Sequence, residues 1–120
     1  MSLPAMIAVA LIAALHLYIA WFEIFAWETR GPKVFRAMPP EMFPKTKVLA
    51  ANQGLYNAFL AAGLLWALVI GDPLWATRVA TFFLLCVAVA GVFGAATASR
   101  RILYVQTVPA VLGLALVWLG

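Results

Sequence analysis

Glu23 and His16 lie within one long apolar run, and Asn52, Gln53, Tyr56 and Asn57 open a second, with Trp27 closing the first and Gln106 early in another. A polar group in such surroundings costs free energy unless a partner satisfies it, and ionisable groups at membrane depth usually mark proton or ligand sites. Glu23 has the chemistry of a general acid or base, and His16 that of a second proton carrier. The amides of Asn52, Gln53 and Asn57 and the Tyr56 phenol supply donors and acceptors that orient a substrate oxygen or stabilise charge on it. Isomerisation, or hydration of an epoxide, alkene or carbonyl, needs only such groups.

Helical spacing constrains how these residues meet. His16, Ala20, Glu23 and Trp27 follow at steps of four, three and four, so they share one side of a helix. At 1.5 Å per residue His16 and Glu23 are about 10 Å apart along the axis, too far for a direct hydrogen bond. Each needs a ligand, a water or another helix. In the second run Asn52 pairs with Tyr56, and Gln53 with Asn57, at the four-residue spacing of helix neighbours. Gly54, Ala58, Ala61 and Ala62 let a neighbouring helix approach closely.

The elements that must carry these residues are visible in composition. Of 120 residues 67% are hydrophobic and only 10% charged, against about 45–50% apolar residues in soluble domains. Four apolar runs approach the length of a bilayer core, Leu3 to Trp27, Val48 to Ile70, Leu74 to Ala98 and Ile102 to Leu119. The sequence therefore predicts an all-α membrane protein, a single four-transmembrane-helix bundle over residues 1–120. Its helices are expected over about 3–28, 47–71, 73–98 and 101–119. The first run lacks a basic leader and a cleavage site, so it is expected to stay as the first helix.

The net charge of +4 follows topology and needs no nucleic-acid partner. Arg30, Lys33, Arg36, Lys45 and Lys47 lie between the first and second runs, and Arg100 and Arg101 between the third and fourth. The positive-inside rule then puts both connections in the cytoplasm and both termini on the outer, periplasmic side. Residues 29–46, with Gly31-Pro32, Pro39-Pro40 and Pro44, read as a cytoplasmic loop whose apolar residues and cations suit the membrane interface, as an anchor or a lid. Asp72-Pro73 reads as the cap and first residue of a helix, and Pro109 as a kink. Cys86 is the single cysteine and forms no internal disulfide. One histidine, one thiol and scattered carboxylates give no metal-ligand cluster, and a lone His16 does not specify a haem.

Counted inwards from Trp27, Lys47 and Arg101, Glu23, Asn52 and Gln106 fall at roughly 6–8 Å, and Asn57 and His16 at roughly 15–17 Å. Polar groups of three helices then share one depth band. Facing inwards, they would line a pocket in the cytoplasmic half.

Three pieces of sequence carry a family resemblance: His16-Leu17-Tyr18-Ile19 with Glu23 and Trp27, the block Asn52-Gln53-Gly54-Leu55-Tyr56-Asn57-Ala58-Phe59-Leu60-Ala61, and Gln106 with Pro109-Ala110. They resemble an uncharacterised family of small four-helix bacterial inner-membrane proteins, known as a domain of unknown function. The resemblance implies four helices in the inner membrane and no particular activity.

The expected function is binding of a lipophilic ligand, with acid/base catalysis of the isomerase or hydratase/hydrolase type by Glu23 and His16. Asn52, Gln53, Tyr56, Asn57, Gln106 and Trp27 would hold the substrate. A proton-coupled exporter of the small multidrug type is the alternative, since such exporters also combine four short helices with a carboxylate in the first. A structural or assembly subunit is the third reading. The expected partners are the lipid bilayer, the lipophilic small molecule and further copies of the chain in a homo-oligomer.

Overall fold

Where Asp72 meets Pro73 the chain turns into its longest helix for a local reason. Asp72 is extended (φ −79°, ψ 117°) and its carboxylate accepts the Leu74 backbone N–H at 2.9 Å, while Pro73 needs no partner for the N–H it lacks. The computed structural model describes residues 1–120, all helix and connection, with no strand. In order these are α1 (Leu3–Phe25), α2 (Trp27–Val34), α3 (Met42–Lys45), α4 (Lys47–Val69), α5 (Pro73–Thr97), a π-helical turn (Leu103–Thr107) and α6 (Val108–Leu119). Three helices, α1, α4 and α5, are long and apolar enough to cross a membrane, and Leu103–Leu119 forms a shorter apolar helix. The chain divides into two compact units, one of residues 1–14 with 60–120 and one of residues 15–59.

The first unit is built on α5. Ala76, Ala80, Leu84, Val87 and Gly91 follow at steps of four, four, three and four and form its buried stripe. Its core joins Ala80, Leu84 and Val87 to Val9, Ile12 and Ala13 of α1, Leu64 and Ala67 of α4, and Ala110 and Val117 of α6. Trp118 donates its indole N–H to Thr81 Oγ1 at 3.0 Å, and that hydroxyl donates in turn to the Thr77 carbonyl at 2.7 Å.

A helix was expected over 101–119 with a kink at Pro109. The structure places the irregularity one turn earlier, as the π-helical turn closed by Val108 N–H on the Leu103 carbonyl. Pro109 offers no N–H, so the wider turn before it leaves a carbonyl unbonded where an α-helix would have required a donor. Thr107 fixes this turn to α5, its hydroxyl donating to the Ala88 carbonyl at 2.9 Å. Gly91 makes the approach possible, because a Cβ there would overlap the Thr107 hydroxyl and stand 2.7 Å from the Thr107 nitrogen. Thr107→Val keeps the shape and removes the bond. It is expected to cost about 1 kcal/mol, read as a lower midpoint in denaturant titration of the detergent-solubilised protein.

In the second unit the chain departs from the expected boundaries. α1 ends at Phe25 and not near residue 28, because Ala26 leaves helical geometry (φ −122°, ψ 13°). The expected loop 29–46 is largely two short helices, α2 and α3. Pro32 sits within α2 and removes only one intrahelical bond, while Glu28 in the first turn and Lys33 in the last suit its dipole. Aromatic packing holds the segment. Trp27 lies 5.8 Å from Phe22, 5.7 Å from Phe35 and 5.2 Å from Phe43 between ring centroids, and Phe43 is only 1% exposed. Gly31 lies beneath Phe43, whose ring a Cβ would overlap. Lys47 and Glu28 form an ion pair at 3.2 Å.

Candidate functional site

The polar centre of the second unit depends on a glycine. At Gly54 a Cβ would stand 2.6 Å from Ile24 Cγ1, 3.0 Å from the Ala20 carbonyl oxygen and 3.1 Å from Glu23 Cβ. Only a residue without a side chain brings α4 so near α1. One turn further along α4, Asn57 therefore reaches the carboxyl group, its Nδ2 donating to Glu23 Oε1 at 2.7 Å. The same Nδ2 donates to the Gln53 carbonyl at 3.2 Å, which fixes the amide plane. Both side chains belong to half-buried residues.

No cation neutralises Glu23, since the ion pair of the chain is Lys47 with Glu28. The two hydrogen bonds of Asn57 Nδ2 use Glu23 Oε1 and the Gln53 carbonyl, and Glu23 Oε2 and Asn57 Oδ1 lie outside them. The pair thus presents a carboxyl oxygen and an amide oxygen to whatever lies beside them. A protonated Glu23 would donate from Oε2, and an ionised one would accept a proton there.

The other expected residues fall in different settings. His16, two turns before Glu23 on α1, is fully buried and engaged in an interaction within the fold. Asn52, Gln53 and Tyr56 are exposed, the Tyr56 ring lying 6.4 Å from that of Phe59. Their exposure follows from angle: with Gly54 turned to α1, Asn52 and Tyr56 each point about 200° away around α4, and Gln53 about 100°. Trp27 is committed to packing, its indole N–H donating to Thr46 Oγ1 at 2.9 Å. Gln106 belongs to the first unit, half-buried in the π-helical turn and engaged in an interaction within the fold.

Equal depth did not select the pair. Glu23 meets Asn57 and not Asn52, because Gly54 is the residue of α4 that faces α1 and Asn57 follows it by one turn on that side. Sequence reasoning also missed Thr46 and Phe43 as the residues that seat Trp27. Their signal was faint: a threonine just before α4 and one apolar residue among prolines.

The fold and this pair define a class, an all-helical protein with three membrane-length helices and a carboxyl–amide contact between two of them. The model of the family described as "Protein of unknown function (DUF1304)" matches residues 10–118, and the chain belongs to that family. No curated protein and no solved structure matches the chain.

Proposed function

We propose that this is an integral protein of the bacterial inner membrane whose Glu23–Asn57 pair forms a polar site for a lipophilic ligand, with Glu23 as general acid or base. The observation that carries the reading is the 2.7 Å hydrogen bond from Asn57 to a carboxyl group that has no cation beside it. A carboxyl held by one oxygen leaves the other to a ligand oxygen or a substrate C–H. Asn57 Oδ1 would accept from a ligand hydroxyl, and the exposed Asn52, Gln53 and Tyr56 would guide a molecule arriving through the lipid. His16 would serve as the deeper proton carrier. A bundle this small would complete itself as a homo-oligomer.

In this reading the chain crosses the membrane four times, the fourth crossing being the short helix ending at Leu119, with both termini outside. An even number of crossings is supported by the termini themselves, since a Cβ on Gly120 would stand 2.7 Å from Ser2 Oγ. Replacing Cys86 by Ser gives a thiol-free background in which Ser2→Cys, Lys33→Cys, Gly71→Cys and Ser99→Cys are tested singly. A membrane-impermeant maleimide applied to intact spheroplasts should label positions 2 and 71, and positions 33 and 99 only after permeabilisation. The reverse pattern would refute the orientation, and separate labelling of 33 and 99 from opposite sides would refute the four crossings.

The chemistry is tested by incubating the purified protein with lipophilic epoxides, alkenes and carbonyl compounds in deuterated water. Product formation or solvent deuterium in recovered substrate supports acid/base catalysis. Unchanged compounds throughout would count against an enzyme.

A further inference from the structure

Arg78 is the one basic residue placed well inside a membrane-length helix, five residues after Pro73 at the start of α5, or about 7.5 Å along the axis. A cation there is costly in hydrocarbon and needs a counter-charge or a route to water. It has no carboxylate partner: the ion pair of the chain lies elsewhere, and the Asp72 carboxylate accepts the Leu74 N–H. The guanidinium instead lies 5.1 Å from the Trp75 ring centroid, an attraction that holds it in place without neutralising it.

Beside it runs an open groove of about 300 Å³, lined by Trp66, Trp75, Arg78, Val79, Phe82 and Phe83. Apart from the guanidinium its walls are almost wholly apolar. Phe83 forms the floor, seated in the space that Gly63 leaves on α4, and meets Phe82 edge-on at 5.2 Å between ring centroids. Phe82 lies one helical turn beyond Arg78, so the groove is cationic at one end and hydrocarbon-like further along.

We propose that this groove holds an anionic phospholipid of the surrounding bilayer, with its phosphate on Arg78 and an acyl chain along Val79 and Phe82. The inference rests on the membrane reading above and is independent of the Glu23 site. A planar guanidinium donates two parallel hydrogen bonds to phosphate oxygens, and its positive charge selects an anionic headgroup over a zwitterionic one. Trp66 and Trp75 suit the interfacial level at which a headgroup gives way to its chains.

The test uses native mass spectrometry of the full-length protein in mild detergent, titrated with phosphatidylglycerol or with phosphatidylcholine of the same acyl chains. Wild-type protein should retain one phosphatidylglycerol more than Arg78→Gln, whose preference for that lipid should fall about fivefold. Arg78→Lys should lose less, keeping the charge without the fork. A Lys33→Gln/Arg36→Gln variant should preserve the Arg78-dependent lipid while lowering the background from the basic segment. Phe82→Ala should weaken retention of both lipids equally. Equal lipid preference in wild type and Arg78→Gln would overturn the proposal, as would unaltered retention in Phe82→Ala. Recovery of the protein in the soluble fraction of cells would overturn the membrane reading itself, an outcome distinct from either lipid result.

Discussion

Glu23→Gln is expected to lower turnover of a converted substrate by about 10²–10⁴-fold, the usual contribution of a positioned acid or base, while the protein stays folded. The substitution isolates the proton. A glutamine carbonyl still accepts the Asn57 Nδ2 hydrogen bond seen at 2.7 Å, so the contact between α1 and α4 survives. What disappears is the group that exchanges a proton at Oε2. Turnover is compared at saturating substrate, with circular dichroism and the denaturation midpoint confirming the fold. Unchanged turnover would remove Glu23 from the chemistry. Loss of the fold together with activity would make the pair a packing contact.

Gly54→Leu is expected to destabilise the protein by about 3 kcal/mol, the upper end of the range for an overpacked site. Helix propensity works in the opposite direction, since Gly is worse than Leu in a helix interior by up to about 1 kcal/mol. Destabilisation would therefore come from packing. The Ile24 side chain can move away from an added Cβ, but the Ala20 carbonyl at 3.0 Å belongs to the backbone of α1 and moves only with it. Pushing α4 outward would also draw Asn57 from Glu23. Gly71→Ala is the matching control, because nothing lies within 4 Å of a Cβ there. A denaturation midpoint equal to wild type in Gly54→Leu would show that α1 and α4 do not approach so closely.

The long helices were legible because composition decides them: few polar residues interrupt α1, α4 and α5, and Asp72-Pro73 announces the start of the last of these. Membership of the family was legible in the block from Asn52 to Ala61 together with the residues around His16. Helix azimuth was not. Spacing groups Asn52 with Tyr56 and Gln53 with Asn57, yet which side turns inward depends on Gly54 and its contact with Ala20, a tertiary fact. The expected segment of anchor or lid also hid its structure, because Phe43 looks like any apolar residue among cations until Gly31 is seen to accommodate its ring. At Pro109 a kink was legible, but the π-helical turn depends on Thr107 reaching the Ala88 carbonyl past Gly91.

A ligand at the Glu23–Asn57 pair would be seen in native mass spectra of the intact protein as purified in mild detergent. Wild type is compared with Glu23→Leu, which removes both carboxyl oxygens and keeps a side chain of similar length. The wild-type assembly should carry a stoichiometric lipophilic compound bearing an oxygen function, released on collisional activation and missing from the folded variant. An empty wild-type assembly, or the same compound retained in full by Glu23→Leu, would contradict a ligand site at the pair and leave the hydrogen bond as a contact between helices.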